Sequence, residues 1–117
     1  MIDTIKIGND GEQAACSFLE SKGYEILERN YRYRKAEVDL IVRHNNWLIF
    51  VEVKTRSGSF FGYPESFVDR KKQYLIFEAA ENYMYEKDWN GNVRYDIVSI
   101  MSVKGKQEIY HIEDAFY

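Results

Sequence analysis

The sequence predicts an α/β domain in which a mixed sheet is flanked by helices. Two amphipathic stretches at helical spacing bracket three strand-like segments, and two further strand-like segments close the chain. The passage from the third strand through a long helix to the fourth strand implies a crossover, so part of the sheet is expected to be parallel. At 117 residues with 45% hydrophobic content the chain supports one core, and residues 1–117 are read as a single domain.

The first helix is predicted over residues 4–22, where Ala14, Ala15, Phe18 and Leu19 recur at helical spacing and Gly23 follows as a C′ stop. Residues 24–33 read as extended. In residues 37–43 alternation sets Val38, Leu40 and Val42 on one face and Glu37, Asp39 and Ile41 on the other. Asn45-Asn46 makes a tight turn into the apolar run of residues 47–53, so these two strands should be antiparallel. Residues 55–64 carry Gly58, Gly62 and Pro64, which marks a loop. The second helix is placed at residues 65–86, with Val68, Leu75, Ile76, Ala79, Ala80 and Tyr83 as its apolar stripe. Lys72 falls within that stripe, where a lysine either snorkels to solvent, the commoner case, or reaches the site. After the turn cluster of residues 88–92, residues 93–101 and 107–112 form two closing strands around Lys104-Gly105.

Composition narrows the function. Cys16 is the only cysteine, which excludes an intramolecular disulfide and a thiolate zinc cluster and fits a cytoplasmic protein. The N-terminus lacks a signal-peptide apolar region, and no stretch approaches the ~18 apolar residues of a membrane span, so no membrane association is expected. The net charge of −3 argues against a general phosphate-coating protein. Basic residues nevertheless collect in runs: Arg29, Arg32, Arg34 and Lys35; Lys54 and Arg56; Arg70, Lys71 and Lys72. Runs of this kind are usually solvated faces.

The informative positions are polar residues where the pattern wants apolar ones. Glu52 and Lys54 share one face of the third strand, opposite Val51 and Val53, and the hairpin brings that strand beside Asp39. Hard oxygen ligands of this kind suit Mg²⁺ or Mn²⁺. Glu12 lies on the side of the first helix that should face the sheet and needs a partner there. The bland alternative is a set of cross-strand ion pairs. His44 and His111 have no ligand spacing between them and read as ordinary polar residues, and Asp96 is explained by an ion pair with Arg94 two positions away. Gly8-Asn9-Asp10-Gly11 lacks the Lys-Ser/Thr of a phosphate loop.

Asp39 followed by Glu52-Val53-Lys54 is similar to the PD-(D/E)xK motif of the restriction-endonuclease-like superfamily. With Gly11-Glu12, Asn30-Tyr31-Arg32, Glu37-Val38-Asp39-Leu40-Ile41, Phe50-Val51-Glu52-Val53-Lys54, Val68 with Lys72-Gln73, Arg94-Tyr95-Asp96-Ile97-Val98 and His111-Ile112-Glu113-Asp114-Ala115-Phe116 in that order, the chain resembles the small bacterial YraN-like family of predicted endonucleases. The resemblance spans nearly the whole chain and departs at Ala36, where that family usually has Gly.

The resemblance implies a restriction-endonuclease-like αβββαβ core, similar to archaeal Holliday junction resolvases. It implies Glu12, Asp39 and Glu52 as metal-site acids and Lys54 as the catalytic lysine, acting with Mg²⁺ or Mn²⁺ on DNA, including structured or branched DNA. Arg56, Lys71, Lys72 and Arg32 are the expected grips on the nucleic-acid backbone, Glu37 and Gln73 are secondary candidates, and resolvase-like relatives suggest a homodimer. Replacing Asp39 or Lys54 by Ala is expected to abolish cleavage and leave the fold intact. Two rivals stand beside this reading: a nucleic-acid-binding accessory module with little or no turnover, and an interaction domain whose acids and lysines are ion pairs only.

Overall fold

Runs such as Leu40-Ile41-Val42 and Leu48-Ile49-Phe50-Val51 offer no polar face to water, so both sides of the sheet that contains them have to be covered. The computed structural model describes residues 4–57 and 68–116. Its elements are α1 (Thr4–Ser21), β1 (Glu25–Tyr33), β2 (Ala36–His44), β3 (Trp47–Ser57), α2 (Arg70–Lys87), β4 (Asn92–Val103) and β5 (Lys106–Ile112). The sheet has five strands in the order β1-β2-β3-β4-β5. All neighbours are antiparallel except β3 and β4, which the α2 crossover makes parallel.

Each face carries its own core. On the α1 side, Ala15, Cys16 and Leu19 pack with Leu40, Val42, Ile49, Val51, Val98 and Ile100. On the α2 side, Ile76, Ala79, Ala80 and Tyr83 pack with Val38, Ile41, Leu48, Phe50 and Ile97. The helix ends are fixed by their caps. Gly23 at φ 92° closes α1, with Tyr24 N–H donating to Leu19 C=O at 3.0 Å and the Tyr24 ring buried in the α1-side core. None of the helices in the described residues is long and apolar enough to cross a membrane.

Three sequence expectations change. The second helix starts at Arg70 rather than residue 65: Asp69 is extended and caps it, accepting from Lys72 N–H at 2.8 Å, and Val68 is buried ahead of it. Residues 65–67 of that expected helix lie outside the described residues. The expected loop from residue 55 begins later, because β3 continues to Ser57 alongside β4; residues 58–64 of it lie outside the described residues. The alternation expected in β2 also breaks, since Val38 joins Ile41 in the α2-side core while Leu40 and Val42 face α1. Opposite the break, Asn30 of β1 takes a left-handed φ of 54°, and the pairing passes from Arg29↔Leu40 to Tyr31↔Val38 in one register without pairing Asn30 and Asp39. Both strands therefore rotate at Asp39.

The chain's last described residues tie β4 to α2. Ala115 N–H donates to Tyr95 C=O at 2.7 Å, and the Phe116 ring stacks on Tyr95 at 5.6 Å and meets Phe77 at 5.9 Å. Phe116→Ala is expected to destabilise the protein by about 3 kcal/mol. Urea unfolding should report this as a lower midpoint with an unchanged slope.

Candidate active site

The β2–β3 ladder ends with the pair Leu40↔Val51, so the next inward amides of β3 lose their partners in β2. A half-buried N–H left unpaired is costly. Asp39 resolves this: its Oδ2 accepts from Val53 N–H at 2.8 Å, and a side chain takes over where the neighbouring backbone departs. Asp39 is thus partly structural, and Asp39→Ala would remove an acceptor from β3 as well as a candidate site acid.

One residue before Val53, parity turns Glu52 to the α2 side, as it does Phe50 and Leu48. Glu52 is 3% exposed, and a carboxylate so enclosed requires cations or donors. Lys72 of α2 supplies one, its Nζ lying 2.5 Å from Glu52 Oε1; Lys54, on the same face of β3, lies 3.6 Å from that oxygen. Lys72 therefore does not snorkel away; it reaches across the α2–sheet interface. Burial pulls the proton affinity of both lysines down. For Lys72 the hydrogen bond and charge of Glu52 outweigh burial and the balance is upward. For Lys54, Glu52 opposes burial without overcoming it, the nearby Lys72 charge adds to the downward pull, and the ammonium is held below its ordinary range.

Glu12 arrives from the opposite side of the sheet. A Cβ added at Gly11 would lie 2.5 Å from Thr55 Oγ1, so glycine lets α1 sit directly against β3 at this point. Glu12 is thereby close enough for its charge to act on Asp39. Burial first, and then the Glu52 charge, push the Asp39 carboxyl up to about 7; the Val53 N–H and Lys72 pull the other way, and Glu12 adds to the rise.

Two carboxylate oxygens at this cluster, Glu12 Oε1 and Glu52 Oε2, are buried without a hydrogen-bond partner. Among the described residues no three acid, His or Cys side chains are already gathered at ligand spacing. The donor chemistry nonetheless fits a hard divalent cation: Asp39, the free Glu52 oxygen and the free Glu12 oxygen are all carboxylate oxygens, and two of them lack any other partner.

The remaining candidates are more dispersed. Lys71 is exposed on the first turn of α2 and lines a groove that reaches Asp39. Arg56 is exposed near the end of β3, its guanidinium donating to Thr55 C=O at 3.2 Å. Arg32 and Glu37 form a 3.5 Å ion pair across β1 and β2. Gln73 caps the entry to α2, donating to Val68 C=O at 3.0 Å. Sequence reasoning passed over Ser99, which is fully buried, pairs with Lys54 in the β3–β4 register and has an unpartnered Oγ. A serine among Ile97, Val98 and Ile100 was the available signal.

A second polar cluster lies elsewhere on the sheet. Asp96, fully buried, receives Arg94 through two hydrogen bonds of 2.8 Å, His111 Nε2 at 2.7 Å and Asp114 N–H at 3.0 Å. Burial would raise its carboxyl, but these donors prevail and hold it below the ordinary range. Lys22 Nζ lies 2.9 Å from His111 Nδ1, and since an ammonium can only donate, the ring presents Nε2–H to Asp96. Every oxygen of Asp96 is engaged, so this cluster clamps β5 and the following turn to β4.

Fold and cluster define an α/β domain whose sheet carries a buried acid–lysine site where two strands part. The chain belongs to the uncharacterised protein family UPF0102, whose family model matches residues 11–100. It is similar to the UPF0102 protein of Cytophaga hutchinsonii, with 45% identity over 113 residues covering 97% of each chain. It is likewise similar to that of Christiangramia forsetii, at 44% over 117 residues covering 100% of this chain and 98% of the relative. The UPF0102 protein of Alkaliphilus oremlandii is 43% identical over 116 residues, covering 95% and 97% respectively.

The raised Asp39 carboxyl sets a pH dependence. The folded protein keeps a proton that the unfolded chain releases near pH 4, so this contribution to stability is full at low pH and is lost as pH rises through about 7. In EDTA, the contribution of Asp39 should make the melting temperature fall between about pH 4 and about pH 7. Asp39→Asn, which keeps an acceptor for Val53 N–H and carries no charge, should flatten that fall. Asp39→Ala, which strands the amide, should instead cost about 1–3 kcal/mol at low pH.

Proposed function

We propose that this protein is a metal-dependent endonuclease with a restriction-endonuclease-like core, hydrolysing phosphodiester bonds in DNA. The observation that carries this reading is the pair of orphaned carboxylate oxygens, on Glu12 and Glu52, beside Asp39 and two lysines. The element order α1-β1-β2-β3-α2-β4 supports the αβββαβ core.

Asp39 and Glu52 would hold Mg²⁺ or Mn²⁺, with Glu12 completing the shell. When bound, such an ion lowers the pKa of a water and offsets charge on a phosphoryl oxygen. Lys54, the lysine of lowered proton affinity, positions the attacking water and stabilises charge gathering on the phosphate. Lys72 fixes the Glu52 carboxylate from one side and leaves its second oxygen available. Arg56, Lys71 and Arg32 grip the flanking backbone through charge.

The accessory-module reading draws on the same Lys72–Glu52 pair, which already satisfies one carboxylate oxygen in the free protein. Cleavage of labelled single-stranded, duplex, flap and four-way-junction DNA in Mg²⁺, Mn²⁺ or EDTA separates the two. Metal-dependent cutting is expected, reduced about 10²–10³-fold in Lys54→Ala and lost in Glu52→Gln. A rise in melting temperature with Mn²⁺ but no cutting would favour the accessory module. Neither effect would leave only ion pairs.

A further inference from the structure

Beyond the acid–lysine cluster, a groove of about 310 Å³ runs between the turn joining β1 to β2 and the first turns of α2. Asp39 and Lys72 belong to both groove and cluster, so the two are continuous. Its apolar lining is Ala36, Leu75 and Ile76, and Lys35 and Lys71 stand on opposite walls, both exposed. Among the described residues, neither lysine is in an ion pair. Of the acids in the walls, Glu37 is paired with Arg32 at 3.5 Å, Asp69 accepts from Lys72 N–H at 2.8 Å and Asp39 accepts from Val53 N–H at 2.8 Å. Lys35 and Lys71 are therefore the cations of the groove open to an anionic group.

We propose that this groove receives one unpaired nucleotide of a single strand running up to the carboxylate site, its phosphate between Lys35 and Lys71 and its sugar and base on Ala36, Leu75 and Ile76. The proposal rests on the nuclease reading for its substrate class. A polyanion with flat apolar faces matches cationic walls joined by an apolar lining. The size favours a single strand: a volume of about 310 Å³, at the small end of the ~300–1,000 Å³ range of ligand pockets, suits one nucleotide rather than two paired ones with their sugars and phosphates. Lys35 thus joins Lys71 as a substrate-binding residue, although Arg32 and Arg34 beside it looked equivalent in sequence.

Fluorescence anisotropy with a labelled single-stranded oligonucleotide and a duplex of the same sequence, in EDTA at low salt, tests this. The single strand is expected to bind about tenfold more tightly than the duplex. Lys35→Glu and Lys71→Glu should each weaken single-strand binding about tenfold and reduce the salt slope by about 0.7. Lys106→Glu, at the start of β5, should change neither. Equal or tighter duplex binding, or wild-type affinity in both groove variants, would overturn the proposal. Melting with Mn²⁺ separates the failures. If Mn²⁺ stabilises the protein while both charge reversals bind like wild type, the groove is wrong and the nuclease reading stands. If lysine-dependent single-strand binding persists without any Mn²⁺ effect or cleavage, the nuclease reading is wrong and the groove stands.

Discussion

Where β2 peels away from β3, the hydrogen bond from Val53 N–H to Asp39 replaces a rung of the sheet with a side chain. A buried sheet cannot end a ladder in mid-strand without stranding an amide, and β3 has to continue to Ser57 because β4 runs beside it that far. The Asp39 carboxylate makes the parting tolerable. Once the strands separate, a space opens on the α2 side into which Glu52 and Lys54 project, and into which Lys72 reaches from the helix. Splitting the sheet and building the site are one event.

That space is electrostatically self-balanced. Glu52 alone would be an uncompensated buried charge, a situation costing several kcal/mol, and the lysine from α2 prevents it. The same contact ties helix to sheet at the mouth of the α2-side core, so a charged pair does here what Ile76 and Ala80 do deeper in. Asp39 then sits beside an ionised neighbour in a poorly solvated place and holds its proton toward neutrality. The second polar cluster shows the opposite outcome under similar burial. Asp96 is more deeply enclosed than Asp39, yet four hydrogen bonds saturate its oxygens and keep it ionised. What separates an acid that stays ionised from one that keeps its proton in this fold is the supply of donors, not depth.

This contrast also marks how far the sequence could be read. Element order, the antiparallel hairpin and the parallel crossover follow from periodicity and turn residues, because those signals are local. Glu52 and Lys54 on one face follow from strand parity, which holds through β3. Parity fails in β2, where the left-handed Asn30 on the neighbouring strand rotates both chains, and nothing in the apolar pattern of residues 37–43 records that twist. The start of α2 was misplaced for a similar reason: Val68 sits at helical spacing from Ile76, but Asp69 prefers to cap. Lys72 was open to two fates in sequence, and the choice depended on a carboxylate twenty positions away with no other strong partner.

On the proposed reading, the proton on Asp39 and the ammonium of Lys72 do in the free protein part of what a divalent ion does in the loaded one. With Asp39 protonated, Glu52 faces Lys54 and Lys72, Glu12 lies across the sheet from them, and one oxygen of each glutamate remains unsatisfied. A cation that takes those oxygens gains Asp39 as a ligand only by displacing its proton, so affinity has to rise with pH through the range where Asp39 titrates. Lys72 need not leave for this to happen, because it holds Oε1 and the vacant electron pairs are on Oε2. The lysine from α2 therefore sets the orientation of Glu52 before any metal arrives. The Lys72–Glu52 ion pair would then preorganise a metal site as well as tie α2 to the sheet.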